Sequence, residues 1–246
     1  MELSAHVAAR GRGAGRVHPE LLAWLGAIAL AWIGAYWLEV TGTAHLLHHH
    51  TIYHSGQILA GGLALLAAWQ VMTAATMLPG TLPAVLHIGR ASRQLVFLAV
   101  YAAAWTAFAV VAFVGDMGLH ALVHSWPLAA QHENLIPASV LGLAAAYQVS
   151  PWKRAGLEAC RRPATSNGSG LIEALRAGIN YSRQCLISGW ALMLIMFSAG
   201  VADLVWMVAL TLTMLAEKTL PSGDAPRYVV ASTLALLAAG TLLSAS

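Results

Sequence analysis

The sequence predicts an all-α protein, a polytopic bundle of about seven transmembrane helices with its N-terminus in the cytoplasm and its C-terminus outside. Two observations lead to this prediction. Of the 246 residues, 59% are hydrophobic and only 9% are charged, which is more apolar surface than a soluble fold of that size buries. In addition, one orientation of the chain places all 13 basic residues on the cytoplasmic side of the membrane, as is usual for inserted helices.

Seven apolar runs account for the predicted helices, and several approach the roughly 17–25 residues that a spanning helix needs. The runs are Leu21–Leu38, Ile58–Leu78, Leu95–Gly115, Leu135–Val149, Leu186–Ala202, Leu204–Ala216 and Tyr228–Leu243. Because the fourth, sixth and seventh runs are short, the placement of the basic residues has to support them.

The basic residues precede the first run or lie in the second, fourth and sixth gaps between runs, all on one side in a seven-span topology. They are Arg10, Arg12, Arg16, Arg90, Arg93, Lys153, Arg154, Arg161, Arg162, Arg176, Arg183, Lys218 and Arg227. Without the fourth helix, the six in the gap before the fifth run would lie outside, so that short helix is needed. The fifth and sixth runs either span fully or form a re-entrant hairpin. Both arrangements keep every basic residue on the cytoplasmic side, because the turn between the two runs contains Asp203 and no basic residue.

The domain organisation that we expect is simple. Residues 1–18 form a flexible cytoplasmic tail, and residues 19–246 form a single transmembrane domain in the cell (inner or cytoplasmic) membrane. The first apolar run is longer than the hydrophobic region of a signal peptide and is interpreted as an uncleaved anchor. The net charge of +3 reflects the basic inner face, and the sequence has no nucleic-acid-binding motif. The expected partners are the lipid bilayer and either other membrane subunits or further copies of the chain.

Histidine is concentrated in the two loops that this topology places outside, residues 39–57 and 116–134. These loops contain eight of the 11 histidines, namely His45, His48, His49, His50, His54, His120, His124 and His132. They also contain Glu39, Asp116 and Glu133 but no basic residue. Imidazole and carboxylate groups without competing cations indicate a site for copper or another divalent metal.

The spacing of these residues sharpens the prediction, because helical residues four apart project from the same face. Asp116, His120 and His124 follow each other at this spacing and form the core of the predicted metal site. One or two histidines of the first loop complete it, drawn from His45, His49, His50 and His54. Copper is the preferred ion, with zinc or iron as possible replacements. The alternative is that these are interfacial histidines without a metal, since imidazole is amphipathic and neutral near pH 7.

The two cysteines, Cys160 and Cys185, fall on the cytoplasmic side, where thiols stay reduced. Neither belongs to a C-x-x-C motif or to another ligand-spaced pattern. We therefore expect an ordinary packed or loop cysteine at each position and no structural disulfide.

Four segments between residues 69 and 223 share a pattern of tryptophan, methionine, cysteine and proline. They are WQVMTAATMLP, PWKRAGLEACRRP, CLISGWALM and WMVALTLTMLAEKTLP. Together they resemble the family of predicted metal-binding integral membrane proteins known as domain of unknown function 2182, over more than half of the chain. The resemblance implies a membrane-embedded helical fold and metal binding, without an established reaction.

This chain departs from that family at three positions. Gly156, Ser188 and Gly189 stand where the family often carries further cysteines. The resemblance therefore implies that a thiolate-rich inner site is mostly absent here, and the histidine loops become the favoured site.

Three functions from different classes fit the sequence. We favour a non-catalytic protein that stores copper, delivers it or inserts it into a partner. The second is a catalytic copper subunit, because Asp116 and His120 with a further outer histidine resemble the copper ligands of membrane monooxygenases. The third is a metal-free accessory subunit of a membrane complex. A transporter is disfavoured because the apolar runs contain almost no ionisable residue.

Overall fold

The computed structural model describes residues 19–42, 58–125, 134–162, 170–200, 203–220 and 224–244, which form eight α-helices and no β-strand. The helices are α1 (Pro19–Val40), α2 (Ile58–His87), α3 (Ala91–Ser125), α4 (Leu135–Gln148), α5 (Pro151–Arg161), α6 (Leu171–Ala199), α7 (Leu204–Thr219) and α8 (Ala225–Leu243). The all-helical class is therefore confirmed, and each predicted run overlaps one helix. The expected tail, residues 1–18, lies outside the described residues.

Three helices extend far beyond their apolar runs. Helix α2 continues through Pro79 and Pro83 to His87, and Thr81 Oγ donates a 2.8 Å hydrogen bond to the Met77 carbonyl near these prolines. Helix α3 continues to Ser125, whereas α6 begins at Leu171 and not near the predicted start. Apolar runs mark the part of a helix that can sit in lipid, but the helix itself continues until its backbone hydrogen bonding stops.

Helix α5 is absent from the sequence prediction, which treated the residues around Cys160 as a loop. Ser150 caps the helix by accepting a 3.1 Å hydrogen bond from the Lys153 backbone N–H, and Pro151 occupies its first position. One face of α5 is buried, and it comprises Lys153, Gly156, Leu157 and Cys160. Their three- and four-residue spacing is that of an amphipathic helix, but the buried lysine and glycine hide the pattern from an apolar search.

Within the described residues, four helices, α1, α2, α3 and α8, are long and apolar enough to cross a membrane, and α4 is a shorter apolar helix. Apolar side chains on α1 point outward, with Leu30 and Trp37 exposed to 68% and 65% of their surface. Exposed apolar area of this extent fits a helix that contacts lipid. The structure thus supports an apolar helical bundle, with fewer unambiguous spans than the seven predicted.

Helix α6 packs against α3, α4, α5 and α7 and therefore lies at the centre of the bundle. A Cβ atom on its Gly178 would stand 3.2 Å from the Phe97 carbonyl oxygen, which shows how closely α3 and α6 approach. Trp69 of α2 donates from Nε1 to the Trp105 carbonyl of α3 at 3.1 Å. These contacts fix α2, α3 and α6 against one another around the polar groups described next.

Candidate functional site

The predicted histidine site stays a prediction, although three of its positions, Asp116, His120 and His124, lie on helix α3. Asp116 lies half-buried on α3, and the same helix passes through the positions of His120 and His124. The side chains of those two histidines lie outside the described part of the chain, as do all four first-loop candidates, His45, His49, His50 and His54. Among the described residues, no group of three or more histidine, cysteine or acidic side chains could hold a metal.

A second set of polar groups is buried among α3, α5, α6 and α7, and we call it the cysteine cluster: Cys160, Cys185, Tyr101, Ser188 and Lys218. Cys185 is only 1% exposed, and its Sγ lies 3.2 Å from the Tyr101 hydroxyl. The Lys218 ammonium donates to the same Sγ at 3.5 Å. Ser188, one helical turn after Cys185, places its Oγ 3.8 Å from Cys160 Sγ. Residues distant in the sequence thus converge on two thiols.

The thiol of Cys160 interacts with that of Cys185. This interaction, followed by burial, raises the pKa of Cys160 well above its usual range. Both cysteines are free and buried in the structure. Of the two expected alternatives, a packed or a loop cysteine, Cys160 is the packed one, because α5 carries its thiol against α6.

Two methionines lie beside the cluster. Met77 of α2 and Met214 of α7 line one small cavity together with Cys185 and Lys218. At Gly189 of α6, their Cε atoms come within 3.4 Å and 3.9 Å of the place that a Cβ would occupy. Glycine at this position therefore leaves room for two thioether side chains next to the thiols.

A buried ion pair supports one side of the same cavity. Lys153 of α5 and Glu217 of α7 are each 1% exposed, and Lys153 Nζ lies 2.8 Å from Glu217 Oε2. Gln148 donates to the other carboxylate oxygen at 2.8 Å, while Arg161 donates to the Glu217 backbone carbonyl. Burial lowers the pKa of Lys153, and the adjacent Glu217 carboxylate opposes this effect. The network joins α4, α5 and α7 and makes the cluster's surroundings rigid.

Glu217 and Lys218 are adjacent in the sequence but have different partners. Glu217 pairs with Lys153, and Lys218 faces a thiol. Arg227 and Asp224, a few residues further along the chain, pair with each other at 2.8 Å.

Sequence reasoning missed the cysteine cluster because its members come from four helices and follow no local spacing. One signal was present: Gly156, Ser188 and Gly189, the positions where the resembled family carries cysteines, all lie around these two thiols. A Cβ on Gly156 would stand 3.0 Å from the Ser188 backbone nitrogen, and Gly189 lines the cavity. Positions that appear scattered in the sequence thus surround one place in the fold.

No curated protein and no solved structure matches the chain. The model of one family, PpoB2, described as copper chaperone, matches residues 66–243. The matched residues include α3 with Asp116 and the whole cysteine cluster, while the first histidine loop precedes them. This match covers more than half of the sequence, so the chain belongs to the PpoB2 copper chaperone family.

Proposed function

We propose that the protein is an integral membrane protein that binds copper as cargo at its extracytoplasmic face and passes it to a partner protein. The observation that carries this proposal is the match to a copper chaperone family in a chain whose described part contains four helices apolar enough to cross a membrane. A protein that handles copper needs ligands that bind the ion, and the chain offers two candidate sets.

The proposed topology has seven spans, with α5 lying along the cytoplasmic face. Helix α5 is amphipathic, and its outer surface carries Trp152, exposed to 70%, and the exposed Arg154. A tryptophan and basic residues on one outer surface are typical of a helix at a membrane interface. The one-sided placement of the 13 basic residues supports the same orientation.

Cysteine labelling tests this topology. Because Cys160 is buried, its own reactivity does not report the side of the membrane, and a background without native cysteines is needed. Single cysteines at Ser55 and Ser125 should react with an impermeant reagent in intact cells. A cysteine at Glu158, whose side chain is 50% exposed, should react only after the membrane is opened. Labelling of the Glu158 position from outside would overturn the orientation.

At the extracytoplasmic face, Asp116, His120 and His124 are the proposed core ligands, completed by one or two first-loop histidines. Helix α3 supports this proposal because its backbone continues as a helix through all three positions. Imidazole and carboxylate suit copper(II) and, less selectively, zinc or iron.

Elemental analysis of protein purified without a histidine tag tests the function. Copper-loaded protein should retain copper, and His120→Ala should lower the amount. His87→Ala is the matched control, because His87 is an exposed histidine at the far end of α2 and should leave the copper content unchanged. A wild-type protein without copper after loading would overturn the proposed function, and oxygen-dependent turnover would indicate a catalytic subunit instead.

A further inference from the structure

The cysteine cluster has the donor atoms of a soft-metal site. Cys185 lines the small cavity together with the thioethers of Met77 and Met214. Cys160, from another helix, adds a second thiol beside it, 3.8 Å from Ser188 Oγ of the same lining. Thiolate and thioether ligands select copper(I) over hard cations, which prefer oxygen. Each donor comes from a helix held by tertiary packing, so the arrangement is preformed.

Charge is the second argument. Lys218 Nζ contacts Cys185 Sγ at 3.5 Å and lies 5.8 Å from the Tyr181 ring centre, and among the described residues no carboxylate pairs with it. The neighbouring Glu217 is already paired with Lys153. A cation held in such surroundings needs a compensating negative charge. Two thiolates, one monovalent metal ion and the Lys218 ammonium sum to zero, whereas a divalent ion would leave the group positively charged.

The size of the cavity is the third argument. Its volume is about 10 Å³, close to that of a single water-sized sphere. A hydrated cation does not fit, while an ion bound directly to sulfur does. Mg²⁺ and Ca²⁺, which keep several oxygen ligands, are disfavoured on these grounds.

We propose that Cys160 and Cys185, with Met77 or Met214, bind one dehydrated copper(I) ion, and that Lys218 compensates the charge of the two thiolates. Binding forms two Cu–S(thiolate) bonds, releases the thiol protons to solvent and involves no change in oxidation state. The ligands come from α2, α5, α6 and α7, and the only α3 residue that contacts them in the cluster is Tyr101, away from the Asp116 end of that helix. The proposal rests on the copper-handling function and adds a second, buried binding site for the reduced copper ion.

The primary test uses the wild-type protein. Because both thiols are buried, alkylation is carried out in a denaturant concentration at which both react fully in the metal-free protein. Under these conditions, anaerobic titration with copper(I) should show that one equivalent protects both Cys160 and Cys185, which mass spectrometry of the peptides would detect. X-ray absorption of the same sample should show a sulfur-only first shell. Silver(I), which is also monovalent and soft, should compete for the site, whereas zinc should not. Thiols that remain unprotected at saturating copper(I) would overturn the proposal.

Variants separate this site from the proposed outer one. Cys185→Ser should lose the sulfur-bound equivalent, and His120→Ala should keep it. Met77→Leu and Met214→Leu are milder changes that preserve the packing and should remove sulfur scatterers, so they cover the case in which the serine variant fails to fold. If wild-type protein retains copper through nitrogen and oxygen only, the cysteine site is wrong and the proposed function stands. If the protein retains no copper at all, both are wrong.

Discussion

The two parts of α3 carry the two candidate sites and differ in packing. Tyr101, in the N-terminal part, is 2% exposed and contacts Cys185, whereas Asp116 is half-buried and 15 residues further along, about 22 Å away at 1.5 Å per residue. Near Tyr101, a Cβ on Gly178 of α6 would meet the α3 backbone at 3.2 Å. Near Asp116, a Cβ on Gly115 or Gly118 would meet no described atom within 4 Å.

This difference suggests different roles. A tightly packed set of soft donors can hold a reduced ion in one geometry and keep it from water. An open helix end with a carboxylate and two histidine positions can accept ions and release them to a partner. A chaperone requires both retention and exchange, and one long helix connects the two regions.

The largest expected effect concerns the buried ion pair beside the cysteine cluster. Glu217→Gln would leave the Lys153 charge buried without a counterion, and we expect a loss of about 3–5 kcal/mol in the free energy of unfolding. Glu158→Gln is the control, because Glu158 pairs with Arg154 on the same helix but is half exposed, so its loss should be about 0–1 kcal/mol. Denaturant unfolding in detergent measures both, and equal losses would contradict the assigned role of Glu217.

The pH dependence of copper binding should distinguish the two regions next. Imidazole must be neutral to bind, so affinity at the histidine site should fall about thirtyfold between pH 6.5 and 5.5 if two histidines with the ordinary imidazole pKa of about 6.5 bind, and it should level off at higher pH. The cysteine cluster should behave differently, because the interaction with Cys185, followed by burial, raises the pKa of Cys160, so its proton must still be displaced at higher pH. Copper(I) affinity there should continue to rise through pH 9, as a competitive chelator assay would show. A plateau above pH 7 in both profiles would argue against thiol ligands.

The sequence predicted the helical class and the α3 stripe because both depend on local information. An apolar run indicates a segment that is buried in lipid or in a protein core, and residues spaced four apart lie on the same face of a helix. The cysteine cluster could not be predicted in this way. Cys160 and Lys218 are separated by 58 positions and meet only because α5 folds against α6 and α7.

Helix α5 shows the same limit on a smaller scale. Its buried face contains a lysine and a glycine, which hydrophobic patterning assigns to a loop. Lys153 can be buried because it forms an ion pair with Glu217 of α7. A glycine stands at position 156 because a Cβ there would lie 3.0 Å from the α6 backbone. Both reasons are tertiary, and neither is visible before the helices are assembled.

Glycine substitutions test the packing contrast directly. Gly178→Ala should destabilise the protein by about 1–3 kcal/mol, because its methyl group would press on the Phe97 carbonyl and Val100 Cβ at 3.2 Å. Gly115→Ala, in the open part of α3, should be neutral or stabilise by roughly 0.5–1 kcal/mol through helix propensity. Thermal unfolding of the two variants provides the comparison. A Gly178→Ala protein as stable as the wild type would mean that α3 and α6 are less closely packed than described.

The smallest expected effect concerns the hydroxyl that contacts the Cys185 thiol. Tyr101→Phe removes the 3.2 Å contact to Cys185 Sγ and should cost about 1 kcal/mol of stability. Tyr147→Phe removes a partly buried hydrogen bond, from the hydroxyl to the Ile187 carbonyl at 2.6 Å, and should cost a similar amount. Only the first variant should also weaken copper(I) binding, by about tenfold, since a partner that orients a ligand sulfur tunes the metal site. Chelator competition at fixed pH measures this difference. If both variants bind copper(I) equally well, Tyr101 belongs to the packing of α3 and not to the metal site.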